Sequence, residues 1–312
     1  MERVVVTGGA GFIGSHLAEK IAELGFSVLI VDNLSTGKMA NIDSLLRRPG
    51  AEFVQASITD LPALRKLLQG VSYVFHEAAL ARVPRSVADP LGTNETNITG
   101  TLNTLIAARE NGVRKVIYAA SSSAYGETSI MPLREDMPVN PISPYAVSKL
   151  TGEHYCDVFR RIYGLSTASL RYFNVYGPRQ DAESQYSTVI PAFISRAQQD
   201  LPPVIHGDGG QSRDFTFIDD VVRANVLALE NNAEGVFNIG AGRNTTVNQL
   251  AGMVLKAMGK SLKPVHEAPR PGDPRETLAD ISRARNFGWE PRWALEDGIR
   301  ETVKKFPVAS AA

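Results

Sequence analysis

Short apolar runs alternate with amphipathic stretches along the first half of the chain. Residues 3–7, centred on Val4-Val5-Val6, read as a buried strand. Residues 12–24 carry apolar side chains at helical spacing and stop at Gly25, the signature of an α-helix ended by glycine. Further strand patterns follow at 26–31, 52–55, 73–76, 115–119 and 166–171, separated by helical patterns such as 61–68 and 99–111. Strand and helix in strict alternation predict a doubly wound α/β domain, with a parallel sheet covered by helices on both faces. From about residue 172 the texture changes to Pro, Gly and polar loops around 177–179, 201–203 and 207–210. A helical pattern at 219–230 and an apolar run at 235–239 are able to return to the first sheet. The expected organisation is therefore a first domain over 1–171 with a return segment at about 219–240. A smaller, mixed α/β lobe would be built from 172–218 and 241–312. There is no internal repeat, low-complexity tract or flexible linker.

Composition narrows the class of function. At 312 residues the chain is long enough for two unequal lobes, and 43% hydrophobic with 21% charged residues is ordinary for a folded globular protein. Thirty-three basic residues balance 33 acidic ones. That balance argues against a nucleic-acid or anionic-membrane partner, while leaving room for a local cationic pocket. Cys156 is the only cysteine, which excludes an intrachain disulfide and a cysteine-based zinc site, so no metal is expected. The N-terminus enters Val4-Val5-Val6 with no secretory pattern, and no apolar run reaches the length of a membrane span, so a cytoplasmic location is expected. The glycosylation-like triplets at Asn94, Asn97 and Asn244 are then read as chance.

The first candidate chemistry lies where the first strand meets the first helix, in Thr7-Gly8-Gly9-Ala10-Gly11-Phe12-Ile13-Gly14. Glycines let the backbone turn tightly and approach a pyrophosphate, whose charge is stabilised by amides at a helix N-terminus. Gly9, Gly11 and Gly14 satisfy the usual dinucleotide spacing. Asp32 follows 18 residues after Gly14 at the end of the second strand, where a carboxylate accepts hydrogen bonds from ribose hydroxyls and repels a 2′-phosphate. NAD is favoured over NADP, and the doubly wound domain is expected to be of the Rossmann type.

The second is Tyr145-Ala-Val-Ser-Lys149. Tyrosine and lysine four residues apart share a helix face. A phenol is mostly protonated at pH 7 and needs a nearby cation to favour the phenolate.

Taken together these segments resemble the extended short-chain dehydrogenase/reductase family, and within it the nucleotide-sugar 4-epimerases. The resemblance extends through Asp32-Asn-Leu-Ser-Thr-Gly37, His76-Glu-Ala-Ala-Leu80, Ala120-Ser-Ser-Ser-Ala-Tyr-Gly126, Leu170-Arg-Tyr-Phe-Asn-Val-Tyr-Gly-Pro178, Ser212-Arg-Asp-Phe215 and Arg270-Pro-Gly-Asp273. It implies glycine spacing by threes, which selects Gly8, Gly11 and Gly14. It also implies NAD contacts from Phe12, Ile13, Asp32, Asn33, Ser35, Thr36, Gly37, Ser57, Ile58, Ala78, Ala79, Asn97, Ser121, Tyr145, Lys149 and Tyr172. Ser57 stands where many relatives carry an aspartate for the adenine amino group.

In catalysis the resemblance makes Tyr145 the base, gives Lys149 the nicotinamide ribose and the lowering of the Tyr145 pKa, and gives Ser121 the reacting sugar oxygen. Dehydratases of the family place an Asp-Glu pair directly after that hydroxyl residue, and decarboxylases a Glu. Ser122 and Ser123 occupy those places here, which points to epimerisation at carbon 4 through a 4-keto sugar. Asn174, Arg213 and Arg270 match diphosphate-binding positions and Asp273 the uridine ribose, so a UDP-sugar is the implied substrate. Thr277 stands four residues beyond Asp273, where narrow-pocket glucose/galactose epimerases carry a bulky aromatic; a small side chain leaves room for an N-acetyl group on carbon 2. Ala81, in place of a lysine, and the segment 78–86 are similar to UDP-N-acetylglucosamine 4-epimerases, whereas Arg82 and Thr188 are larger than usual there; Val189 lies beside Thr188. An epimerase for UDP-glucose/galactose or UDP-hexuronic acids, and an NAD-sensing regulator without catalysis, are the alternatives. The helices near 99–111 and 145–163 match the family's homodimer interface.

Overall fold

The computed structural model describes residues 1–181, 188–269 and 275–307. Seven strands form one parallel sheet: β1 (Arg3–Thr7), β2 (Ser27–Asp32), β3 (Ala51–Gln55), β4 (Val71–His76), β5 (Lys115–Ser121), β6 (Ser166–Tyr172) and β7 (Gly235–Ile239). Their order is 7-6-5-4-1-2-3, a doubly wound Rossmann-type arrangement with its reversal between β1 and β4. Every strand expected from the sequence is present. β4 begins at Val71, two residues earlier than its apolar run suggests, because a register shift between Arg3 and Val4 of β1 lets Val71 pair with Arg3.

Both sheet faces are covered, and β1 shows why its sequence runs apolar without alternation. Val4 and Val6 point into one core with Ile30, Phe75, Ile117 and Leu170. Val5 points into the other with Leu29, Val74, Val116 and Tyr118. Successive side chains of a strand face opposite sides, so burial on both sides demands an apolar residue at each position. Four helices matter for the site: α1 (Phe12–Glu23), α2 (Gly100–Glu110), α3 (Pro144–Tyr163) and α4 (Ile218–Glu230). α3 starts sharply because the Ser143 hydroxyl accepts from the Ala146 amide at 3.1 Å and Pro144 fits the first turn; it ends at Gly164 with φ 70°. A buried ion pair ties α3 to the sheet, with the Arg171 guanidinium of β6 donating to both carboxylate oxygens of Glu153 at 2.8–3.2 Å. Those two charges keep α3 in one register over β5 and β6.

Beyond β6 the chain builds three two-stranded sheets: Val175–Tyr176 with Thr216–Phe217, Ser212–Asp214 with Asn244–Thr246, and Val204–His206 with Val265–Glu267. The buried Asp214 carboxylate cross-links this region, accepting from the amides of Ala241 (2.6 Å), Gly242 (2.9 Å) and Ala279 (3.1 Å). Burial nevertheless raises its pKa to about 6. Among the described residues no helix is long and apolar enough to cross a membrane, and no His/Cys/Asp/Glu group is arranged to hold a metal.

Candidate active site

The glycine turn closes the carboxyl end of β1 at the point where strand order reverses. Gly8 has φ 67°, and a Cβ there would stand 2.6 Å from the Ala78 amide nitrogen, so the loop after β4 crosses in direct backbone contact. At Gly14 a Cβ would meet the Gly8 carbonyl oxygen at 2.2 Å. Gly9 is required for a different reason: a Cβ would reach the Ile30 side chain at 2.7 Å in the core. Both glycine spacings read from the sequence therefore fall on positions where a side chain would collide, Gly8 and Gly14 against backbone and Gly9 against the core. The N-terminus of α1 has no side-chain cap and no acid in its first turn, which leaves the first amides, at Phe12 and Ile13, for an anion.

These features fit a dinucleotide. Asp32 is buried at the end of β2, accepting from the Ala10 amide at 3.0 Å and the Leu34 amide at 2.8 Å, so its carboxylate is fixed with lone pairs remaining for ribose. Asn33, Ser35, Thr36 and Gly37 form the loop beyond it; the Asn33 side chain accepts from the Ser35 amide at 3.0 Å, and a Cβ at Gly37 would meet both Asp32 oxygens at 2.8 Å. Ser57 pairs with the Thr59 hydroxyl at 2.8 Å, and Ile58 is buried against Gly100. Substituting Gly14 by Ala is expected to lower both NAD affinity and the melting temperature, measured by titration calorimetry and thermal unfolding, because the clash is with backbone.

Asn97 is tied into the protein by its side chain. It lies in a π-helical turn (Glu95–Thr99), and its amide accepts from the Leu80 amide (2.8 Å) and donates to the Leu80 carbonyl (3.1 Å) and the Ser148 hydroxyl (3.0 Å). Its side chain therefore holds the Ala78-Ala79-Leu80 loop against α3, as π-turns near functional sites often hold special geometry.

The catalytic candidates converge at the end of β5. Ser121 caps a short 3-10 turn (Ser122–Tyr125), and its Oγ accepts from the Ser123 amide at 3.2 Å and the Ser123 hydroxyl at 2.8 Å. A hydroxyl has two acceptor sites and one donor. With both acceptor sites filled, the Ser121 proton is free to face the Tyr145 phenol, to which Ser121 is hydrogen-bonded. Ser122 is partly buried at the first position of that turn.

Lys149 follows one helical turn after Tyr145, but its ammonium donates to the Ala119 carbonyl at 2.6 Å and lies 4.8 Å from the Tyr118 ring centre. Several groups act on Tyr145. Burial raises its pKa, while the Ser121 hydrogen bond and the positive charge of Arg82 pull it down and the Glu77 carboxylate pushes it up. Arg82, read in the sequence as a matter of size, matters here as a charge. It holds the unusual φ of 125° for a non-glycine residue, a strained conformation of the kind found at functional sites, beside the exposed Ala81. The positive φ had no signal in the sequence; a lone arginine in an apolar loop was the available hint.

Three of the sugar-pocket candidates, Asn174, Arg213 and Thr277, gather around the strand Ser212–Asp214. Asn174, at φ 31°, donates to the Asp214 carbonyl at 2.9 Å and approaches the Thr277 hydroxyl at 3.4 Å. The Thr277 amide donates to the Ser212 carbonyl at 3.2 Å, and Arg213 donates to the same carbonyl at 2.8 Å. Thr188 precedes the helix Val189–Gln198, and its side chain does not cap it. Arg270 and Asp273 lie outside the described residues.

Comparison with known proteins agrees with this geometry. The profile of the NAD dependent epimerase/dehydratase family matches residues 4–240. UDP-glucose 4-epimerase of Mycolicibacterium smegmatis is 40% identical over 308 residues, 97% of this chain and 98% of that protein. Among solved structures, UDP-N-acetylglucosamine 4-epimerase from Methanobrevibacter ruminantium in complex with UDP-N-acetylmuramic acid superposes with a TM-score of 0.94 at 42% identity, covering 97% of each chain. UDP-glucose 4-epimerase from Thermus thermophilus, in complex with NAD, gives a TM-score of 0.89 at 38% identity over 97% of this chain and 98% of that one. With a matching profile over most of its length, relatives aligned end to end and the glycine turn, Asp32, Ser121, Tyr145 and Lys149 in register on one doubly wound sheet, this chain belongs to the NAD dependent epimerase/dehydratase family.

Proposed function

We propose that the protein is a UDP-sugar 4-epimerase that uses NAD and acts on UDP-N-acetylglucosamine and UDP-N-acetylgalactosamine. The observation that carries the reaction class is the Ser121–Tyr145 hydroxyl pair with serines, not carboxyls, at 122 and 123. NAD, when bound, supplies the acceptor and returning donor of a hydride at carbon 4 of the sugar. Tyr145 takes the proton of the 4-hydroxyl, and Ser121 holds that oxygen and passes the proton. Arg82 stabilises the phenolate charge. Lys149, fixed by the Ala119 carbonyl, is left two donors for the nicotinamide ribose. Serines at 122 and 123 put no carboxyl directly after Ser121 to remove water or carbon dioxide from the 4-keto sugar, which then returns to either configuration.

Thr277 beside Asn174 supports the acetylated substrate, since a short side chain leaves volume at the pocket wall. Purified protein given UDP-N-acetylgalactosamine, with no added reductant, is expected to yield an equilibrium mixture with UDP-N-acetylglucosamine by chromatography; an unchanged substrate would refute this reading. UDP-glucose and UDP-galactose form the second reading, supported by the names of the Mycolicibacterium and Thermus relatives.

The cofactor unit in this proposal comprises 1–171 with the segment at about 219–240, and the sugar unit 172–218 and 241–312. A cytoplasmic homodimer completes it: Val147, Val158 and Ile162 are 40–69% exposed on one face of α3, an apolar stripe suited to a second copy.

A further inference from the structure

Glu77 is a partly buried acid that the reaction above does not use. It follows β4 at the strand-order reversal, where its amide donates to the Thr7 carbonyl at 3.1 Å and a Cβ on Gly8 would lie 2.9 Å from its carbonyl carbon. Its side chain turns towards β6: the Tyr172 hydroxyl donates to Glu77 Oε1 at 2.9 Å and itself accepts from Asn225 of α4 at 2.8 Å. Asn225 is anchored in turn on the Val221 carbonyl at 2.9 Å, so carboxylate, phenol and amide form a fixed chain. From α3 two titratable groups face the same carboxylate, Lys149 and Tyr145, and both respond to its charge. Neighbouring His76 is neutral, its two nitrogens engaged by the Thr7 and Thr101 hydroxyls at 2.7 and 2.9 Å.

We propose that Glu77 is a positioning residue for the nicotinamide end of the cofactor, its carboxylate holding the Tyr172 hydroxyl and favouring the oxidised, positively charged cofactor over the reduced one. The proposal rests on the NAD reading given above, because it is Lys149 and Tyr172 that are assigned to that end. A carboxylate beside a cation stabilises it, and reduction of the nicotinamide removes the cation. An epimerase needs that bias, since a site that preferred the reduced cofactor would lose the keto sugar before the hydride returned.

Burial raises the Glu77 pKa to about 7, against the opposing pull of the Tyr172 hydrogen bond and the Lys149 charge. Burial lowers Lys149 to about 8, with Glu77 as the largest opposing influence and Glu153 and Cys156 adding smaller ones. Burial thus draws the two groups' titrations towards each other: Glu77 gains its proton on the acid side and Lys149 loses its proton on the alkaline side.

The test is to titrate the full-length protein separately with NAD and with NADH at pH 7.5 and compare Glu77→Gln and Glu77→Asp with the parent. Glu77→Gln is expected to lower the ratio of NAD to NADH affinity about tenfold, the scale on which a nearby opposite charge acts, while Glu77→Asp keeps the ratio. The alkaline limb of the activity profile should also move down by about one pH unit in Glu77→Gln, because the charge that holds the Lys149 proton is gone. An unchanged affinity ratio in a folded Glu77→Gln variant overturns the proposal. If that variant does not fold, Tyr172→Phe carries the test: loss of the hydroxyl that stabilises the carboxylate should shift the acid limb to higher pH, and an unmoved limb overturns it. The affinity ratio is read without sugar, so failure to convert any UDP-sugar would refute the epimerase reading and leave this one standing.

Discussion

Replacing Tyr145 by Phe is expected to reduce kcat by about a hundredfold to ten-thousandfold, the range over which a positioned proton acceptor acts. The variant keeps the ring that packs at the start of α3 and removes only the hydroxyl, so thermal stability and NAD affinity should stay close to the parent. The pair with Ser121 sharpens the expectation. Ser121 receives both hydrogen bonds from Ser123 and offers its proton to Tyr145, so the two hydroxyls act as a unit. Their losses should then be far from additive. Combining Tyr145→Phe with Ser121→Ala should cost little more than Tyr145→Phe alone, measured as initial rates on one UDP-sugar. Full activity in the double variant would remove the proposed proton path altogether.

Thr277→Tyr is expected to cut turnover of UDP-N-acetylhexosamines by about a hundredfold or more while sparing UDP-galactose, since pocket volume is what rejects the larger group. Thr277, assigned to the sugar pocket in the proposal above, donates its backbone amide to the Ser212 carbonyl at 3.2 Å and its hydroxyl lies 3.4 Å from the Asn174 amide, so its backbone is fixed and a ring here would project into the proposed pocket. The comparison must be made as kcat/KM on both substrates with the same preparation. Equal loss on both would show that the residue supports the pocket without gating it.

The parallel sheet was legible because its central strands are buried on both faces, and β1 among them runs apolar without interruption through Val4, Val5 and Val6. The glycine turn was legible for the same local reason: Gly8 and Gly14 leave no room for a Cβ. Tyr145 and Lys149 were legible as a pair because helix geometry fixes residues four apart on one face. The part played by Arg82 was not. The sequence spacing pointed to Lys149, which the folded chain anchors on the Ala119 carbonyl, and the fold adds the charge of Arg82 near the phenol.

Asn97 and Glu77 illustrate the same limit from opposite sides. Asn97 is a contact residue by resemblance, and the fold adds what the resemblance did not say, that a π-helical turn ties its amide to Leu80 and Ser148. Glu77 reads as an acid after an apolar strand, and only the approach of Tyr172 and Lys149 from two other elements gives its charge a task. Sequence alone determined the sheet, the cofactor turn and the helical Tyr-Lys spacing, because sterics and periodicity act between residues close in the chain. Tertiary structure decided which charges meet, because electrostatic partners such as Glu77 and Lys149, or Arg82 and Tyr145, are joined by distance in space, which no local pattern encodes.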